Sequence, residues 1–210
     1  MNKTRAAPRR CCVAAAGFGL AEFLMSSLIF LLLSAAIYEV LARTQRTAGY
    51  QDEIQGVLES TRFALESVAR VIQQAGNDPR GAGFPALVIV SATEARVRSD
   101  LTGSAAPGFP DKGDPDGDCA DSGEDVTIRY SAASRALELA SGDGGAQTIV
   151  NHIAAFRMLY FDCNGAATAN GSDVCKVLVV IQAVSPIADP QTKVFFGMEL
   201  SREIMLPMRQ

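Results

Sequence analysis

From residue 18 to about residue 75 the chain contains no proline, and its apolar residues recur at helical spacing throughout. The two halves of this stretch differ in character. Between 18 and 42 the only charged side chains are Glu22 and Glu39. A helix of that length reaches about 37 Å, enough to cross the hydrocarbon core of a bilayer with some tilt. Beyond Arg43 the apolar residues Ile54, Leu58, Leu65, Val68 and Ile72 are interleaved with Asp52, Glu53, Glu59, Arg62, Glu66 and Arg70. This second half is an amphipathic helix with one face for a core. Gly49, near the junction, is expected to weaken or bend it. Gly76-Asn77-Asp78-Pro79 supplies a C-cap glycine followed by a helix-breaking proline.

After residue 77 the pattern changes to short apolar or alternating runs divided by Gly, Pro, Asp and Ser clusters. Strands are expected at 86–91, 95–99, 126–130, 136–140, 153–161, 176–184 and 194–205, with 147–153 an irregular lead-in to its strand. One long helix followed by consecutive strands predicts an α+β fold, with the helix's second half laid across an antiparallel sheet. The expected organisation is a basic leader over 1–17, an apolar helix half over 18–42, an amphipathic half over 43–76 and a β-rich globular head over 77–210.

Charge sharpens this organisation. The formal net charge of −4 conceals a leader that carries Lys3, Arg5, Arg9 and Arg10 and no acid. Without residues 1–17, 15 basic side chains face 23 acidic ones, a net charge of −8. A basic segment before a span stays cytoplasmic and sends the C-terminal head to the far side. The acidic head lacks the clustered basic face that nucleic-acid binding requires.

The leader ends at Gly17 in the hexapeptide Gly17-Phe18-Gly19-Leu20-Ala21-Glu22, and the apolar run begins at once. An acid at the centre of a membrane span costs about 2.5–3.5 kcal/mol on insertion scales, and such acids mark pairing sites. The hexapeptide resembles the processing signal of type IV prepilins, the superfamily of pilus subunits and type II secretion pseudopilins. An ordinary secretory signal is cut after its apolar region; here the glycine precedes that region. The competing reading is a plain signal anchor. Further along, Arg62-Phe63-Ala64-Leu65 and Val68-Ala69-Arg70-Val71-Ile72-Gln73-Gln74-Ala75-Gly76 resemble the helix of PilW-type minor pilins and of the related J-type minor pseudopilins. So do Asp125-Val126-Thr127-Ile128-Arg129-Tyr130, the stretch from Ile149 through His152 to Asp162, and the closing Met198-Glu199-Leu200-Ser201-Arg202-Glu203-Ile204.

The resemblance implies that a prepilin peptidase cuts between Gly17 and Phe18 and that Phe18 is then N-methylated. Glu22 would neutralise the α-amino group of a neighbouring subunit as it leaves the membrane. Elementary electrostatics supports that pairing, since a buried carboxylate and a buried ammonium are each costly alone. Partners implied are other minor and major pilins, the peptidase and the inner-membrane pilus assembly machinery. The implied location is the bacterial inner membrane, with a periplasmic head, and then the filament or its tip. Two sequence features depart from the family pattern: Ala21 stands where a branched aliphatic residue is common, and the helix lacks the proline of many major pilins.

Cys11 and Cys12 fall in the leader; Cys119, Cys163 and Cys175 remain, an odd number in an oxidising compartment. Cys163 and Cys175 bracket a loop between two apolar strands and form the better pair, with Cys119–Cys163 as the competitor. The acidic run 114–125 reads as a candidate calcium loop, with Asp114, Asp116, Asp118, Ser122 and Asp125 at positions one, three, five, nine and twelve. Cys119 replaces the turn glycine there, and Asp125 replaces the bidentate glutamate. A solvated acidic loop is the alternative, although some pseudopilins bind calcium in a loop. His152 is the sole histidine, which leaves a zinc site or a triad to rest on one residue. Gly142-Asp143-Gly144-Gly145 lies between strands and reads as a turn rather than a phosphate loop. No other cofactor is expected, and no enzyme activity. The leading expectation is a PilW-type minor pilin in type IV pilus assembly. A J-type pseudopilin of type II secretion and a signal-anchored, non-polymerising periplasmic binding domain are the alternatives.

Overall fold

The computed structural model describes residues 19–103, 113–142 and 145–207. Helix α1 spans Leu20–Gln73, 54 residues. Among the described residues eight strands follow: β1 (Leu87–Ile89), β2 (Glu94–Arg98), β3 (Asp125–Ser131), β4 (Ala136–Ser141), β5 (Ala146–Val150), β6 (Ile153–Phe161), β7 (Lys176–Ala188) and β8 (Phe195–Met205). The fold is α+β. Strands β1 to β5 form one antiparallel sheet in sequence order, and β6 to β8 form a second. The chain divides into two compact units, Met1–Arg46 and Thr47–Gln210. Helical structure continues through Gly49, where the sequence suggested a bend.

In the second unit, α1 turns one stripe into the core: Val57, Thr61, Ala64, Leu65, Val68, Ala69 and Ile72. Ile54 and Leu58, expected on that stripe, are only half-buried, and Val57 and Thr61 take their place. Thr61, Ala64 and Ala69 are small residues on this stripe, and the Thr61 hydroxyl, fully buried, donates to the Val57 carbonyl at 2.6 Å. Facing the stripe are Val97, Ile128 and Leu137 of the first sheet and Ile153, Phe156, Met158, Val177, Val179, Ile181 and Ile204 of the second. Each aliphatic side chain so enclosed contributes about 1.5–3 kcal/mol relative to exposure. The helix stops where the sequence predicts. Its last N–H groups tighten to carbonyls three residues back, and Gly76, at φ 76°, donates its N–H to Arg98 O at 2.9 Å.

Two strands differ from expectation. Residues 146–150 form β5, paired with β4, rather than an irregular lead-in. Its first three residues are exposed, so no burial alternation marked it in the sequence. Strand β7 continues to Ala188 through Pro186, with the register shifting between Val184 and Ala188. A proline cannot donate to a ladder. The Ser185 hydroxyl compensates, donating to Ile187 O at 2.8 Å and accepting from Phe196 N at 3.0 Å. The sheets are stitched by Met158 N to Ala92 O at 2.7 Å and by the Tyr130 hydroxyl, which donates to Ile153 O at 3.0 Å.

Candidate assembly site

The first unit presents its chemistry at the opening of α1. Glu22 N donates to Gly19 O at 3.0 Å and Phe23 N to the same oxygen at 3.2 Å. In return Glu22 Oε2 accepts from Gly19 N at 3.1 Å. The glutamate thus supplies one half of a capping box, Gly19 having no side chain for the other, and the carboxylate sits where the helix dipole favours negative charge. Glu22 is exposed. Around and beyond it Leu20, Phe23, Leu24, Met25, Leu28, Ile29, Phe30, Leu31, Leu32 and Leu33 are all more than half exposed. The next charge is Glu39, which forms an ion pair with Arg43 one turn later. The helix is long and apolar enough to cross a membrane, and among the described residues none of its apolar window is buried. What this arrangement can do is bind lipid or other apolar helices along its length while offering one carboxylate to a cationic group. Gly17 and Phe18, the expected cleavage junction, lie outside the described residues, as do Cys11 and Cys12.

In the second unit Cys163 and Cys175 are joined by a disulfide, Cα atoms 5.1 Å apart, and Cys119 carries a free thiol. The disulfide closes the loop between β6 and β7. Within that loop Asp162 Oδ1 accepts from Asn164 N at 2.9 Å and Ala166 N at 2.8 Å. Cys119 is half-buried; burial pushes its thiol up, with Arg98 opposing. His152 is exposed, at φ 63° in the tight link from β5 to β6, and its carbonyl accepts from Val184 N at 2.9 Å.

The acidic run does not converge on a point. Asp114, Asp116, Asp118 and Ser122 are exposed, and Asp118 Oδ1 accepts from Ala120 N at 2.8 Å in a local turn. Asp125 begins β3 and faces elsewhere. Its carboxylate takes a two-pronged hydrogen bond from Arg96 and a third from Arg98 Nε at 3.3 Å. Bonding to Asp125 pushes the Arg96 guanidinium further up. Among the described residues, no group of three or more His, Cys, Asp or Glu side chains is placed to hold a metal.

Sequence reasoning passed over this arginine–aspartate cluster and the two buried carboxylates beside it, Asp100 and Glu124. The signal was present: Arg96 and Arg98 share one face of β2 at the two-residue strand period, and the register sets Arg98 opposite Asp125.

No family model matches the chain, and no curated protein matches it at a significant level. A long apolar N-terminal helix and an α+β head of antiparallel sheets, compatible with a pilin-like fold, are what sequence and structure establish together.

Proposed function

We propose that this protein is a minor pilin of the PilW type. It is inserted in the membrane through the first half of α1 and later packs in a filament through that same helix. The observation carrying this reading is Glu22: from Leu20 to Tyr38 it is the only charged side chain, in the first turn of a helix whose apolar face is wholly exposed. Leucine-rich surface of that extent needs lipid or other helices. A lone carboxylate at its start needs a cation when water is withdrawn. A neighbour's new N-terminal amine, formed by cleavage before Phe18, is such a cation. The second half of the same helix is built into the head, so a subunit held by its helix displays its head.

The role is structural rather than catalytic. Minor subunits of this kind initiate or cap a filament together with other pilins, after processing by the prepilin peptidase. The test is fractionation of cells with working pilus machinery into membrane and sheared-filament material. Wild-type chain reaches the filament fraction, and Glu22→Ala stays in the membrane fraction. Equal recovery of the two in filaments overturns the reading.

A further inference from the structure

Among the described residues, Asp100 and Glu124 are the most deeply buried acids of the head, 0% and 1% exposed. They meet where the segment leaving β2 crosses the segment entering β3. Glu124 Oε1 accepts from the N–H groups of Leu101 and Thr102, each at 2.7 Å, and from the Thr102 hydroxyl at 3.4 Å. Asp100 Oδ2 accepts from Gly117 N at 2.9 Å. The backbone of Asp100 is fixed on both sides by Asn77, which accepts from Asp100 N at 2.7 Å and donates through Nδ2 to Asp100 O at 2.8 Å. The remaining oxygens, Asp100 Oδ1 and Glu124 Oε2, are buried and have no hydrogen-bond partner among the described residues.

Two buried carboxylates at one crossing, each with an orphaned oxygen, call for positive charge. The other oxygen of each group is already taken by backbone N–H donors, Leu101 and Thr102 on Glu124 and Gly117 on Asp100. Neither carboxylate forms an ion pair among the described residues; the neighbouring arginines, Arg96 and Arg98, are bound to Asp125. The crossing is also tight. A side chain at Gly103 would run into the carbonyl oxygen of Asp114, which brings a backbone oxygen against the same segment.

We propose that Asp100 and Glu124 hold a hard divalent cation of the calcium class between the segment leaving β2 and the segment entering β3. Two carboxylate oxygens supply its charge, and backbone oxygens and water complete the shell, a donor set suited to calcium and not to softer metals. The ligands are not those of the twelve-residue reading, whose final residue, Asp125, serves the arginines. The cation would pin the acidic segment to the end of β2, and the proposal stands independently of the assembly reading.

The test uses the full-length chain in detergent, stripped with chelator and then titrated with calcium or magnesium chloride by calorimetry, alongside thermal melts. Calcium gives a saturable heat and raises the melting temperature. Asp100→Asn and Glu124→Gln weaken binding by about tenfold or more, while Asp118→Asn, on the exposed part of the run, leaves it unchanged. In chelator these two variants are at least as stable as the wild type, and in calcium the order reverses. Amide exchange on the wild-type chain locates the site without mutation: calcium slows exchange at Leu101, Thr102 and Gly117. A wild-type chain indifferent to both metals, wild-type affinity in both variants, or protection elsewhere overturns the proposal.

Discussion

The Glu22 carboxylate is hydrogen-bonded to the Gly19 N–H at 3.1 Å, so the acid proposed to pair with a neighbour is engaged by its own helix. Its two roles, cap and charge, are separable by substitution. Glu22→Gln keeps an oxygen for the Gly19 N–H but carries no charge; Glu22→Ala removes both. If charge neutralisation drives incorporation, both variants process normally and both fail to enter filaments. Full rescue by glutamine would reduce Glu22 to a cap, an effect of about 1 kcal/mol.

The Cys163–Cys175 bridge closes a loop with a sequence separation of 12. Its chain-entropy contribution is about 3 kcal/mol. The double variant Cys163→Ser/Cys175→Ser should unfold at correspondingly lower denaturant concentration. Cys119 should remain a slow-reacting thiol at neutral pH, because burial raises it away from the thiolate form. Rapid alkylation of native protein at Cys119 would contradict the burial described.

Asp125 is shared by Arg96 and Arg98, and its side chain is 9% exposed against 44% and 21% for the arginines. Asp125→Ala strands Arg98 in a half-buried position and should cost about 1–3 kcal/mol. Arg96→Ala should cost less, since Arg98 still holds Asp125. Equilibrium urea unfolding of the two variants measures the order, and a costlier Arg96→Ala would refute it.

Two turn carboxylates are held below the usual range by backbone N–H donors: Asp78 by Gly83 and Ala82, and Asp189 by Gln191 and Thr192. A depressed carboxylate stabilises the fold above its unfolded pKa, and that contribution disappears as pH falls through the folded value. Melting temperature should therefore decline on acidification below about pH 4. The decline should be shallower in Asp78→Asn/Asp189→Asn, with both proteins kept in chelator. Parallel acid limbs would remove these two turns from the explanation.

Helix, fold class and most strands were legible because periodic burial leaves a periodic sequence. Val97, Ile128 and Met158 are read as core from alternation alone. Strand β5 was not legible, because Ala146, Gln147 and Thr148 lie on an exposed edge where β4, not the core, defines them. The strand expected at 176–184 runs on across Pro186 to Ala188, where the Ser185 hydroxyl donates to Ile187 O and accepts from Phe196 N. Glu22 stood out by contrast with its apolar surroundings. Asp100 and Glu124 did not: their burial is created by two segments far apart in sequence, and each alone reads as an ordinary loop acid.

Intact-mass and N-terminal analysis of the mature chain, purified from cells that carry a prepilin peptidase, tests the assembly reading most directly. Cleavage after Gly17 with a methylated Phe18 amine is the expected result, and Gly17→Leu should abolish it. An intact Met1, or a new terminus beyond Ile37, would contradict the reading and leave a simple membrane anchor.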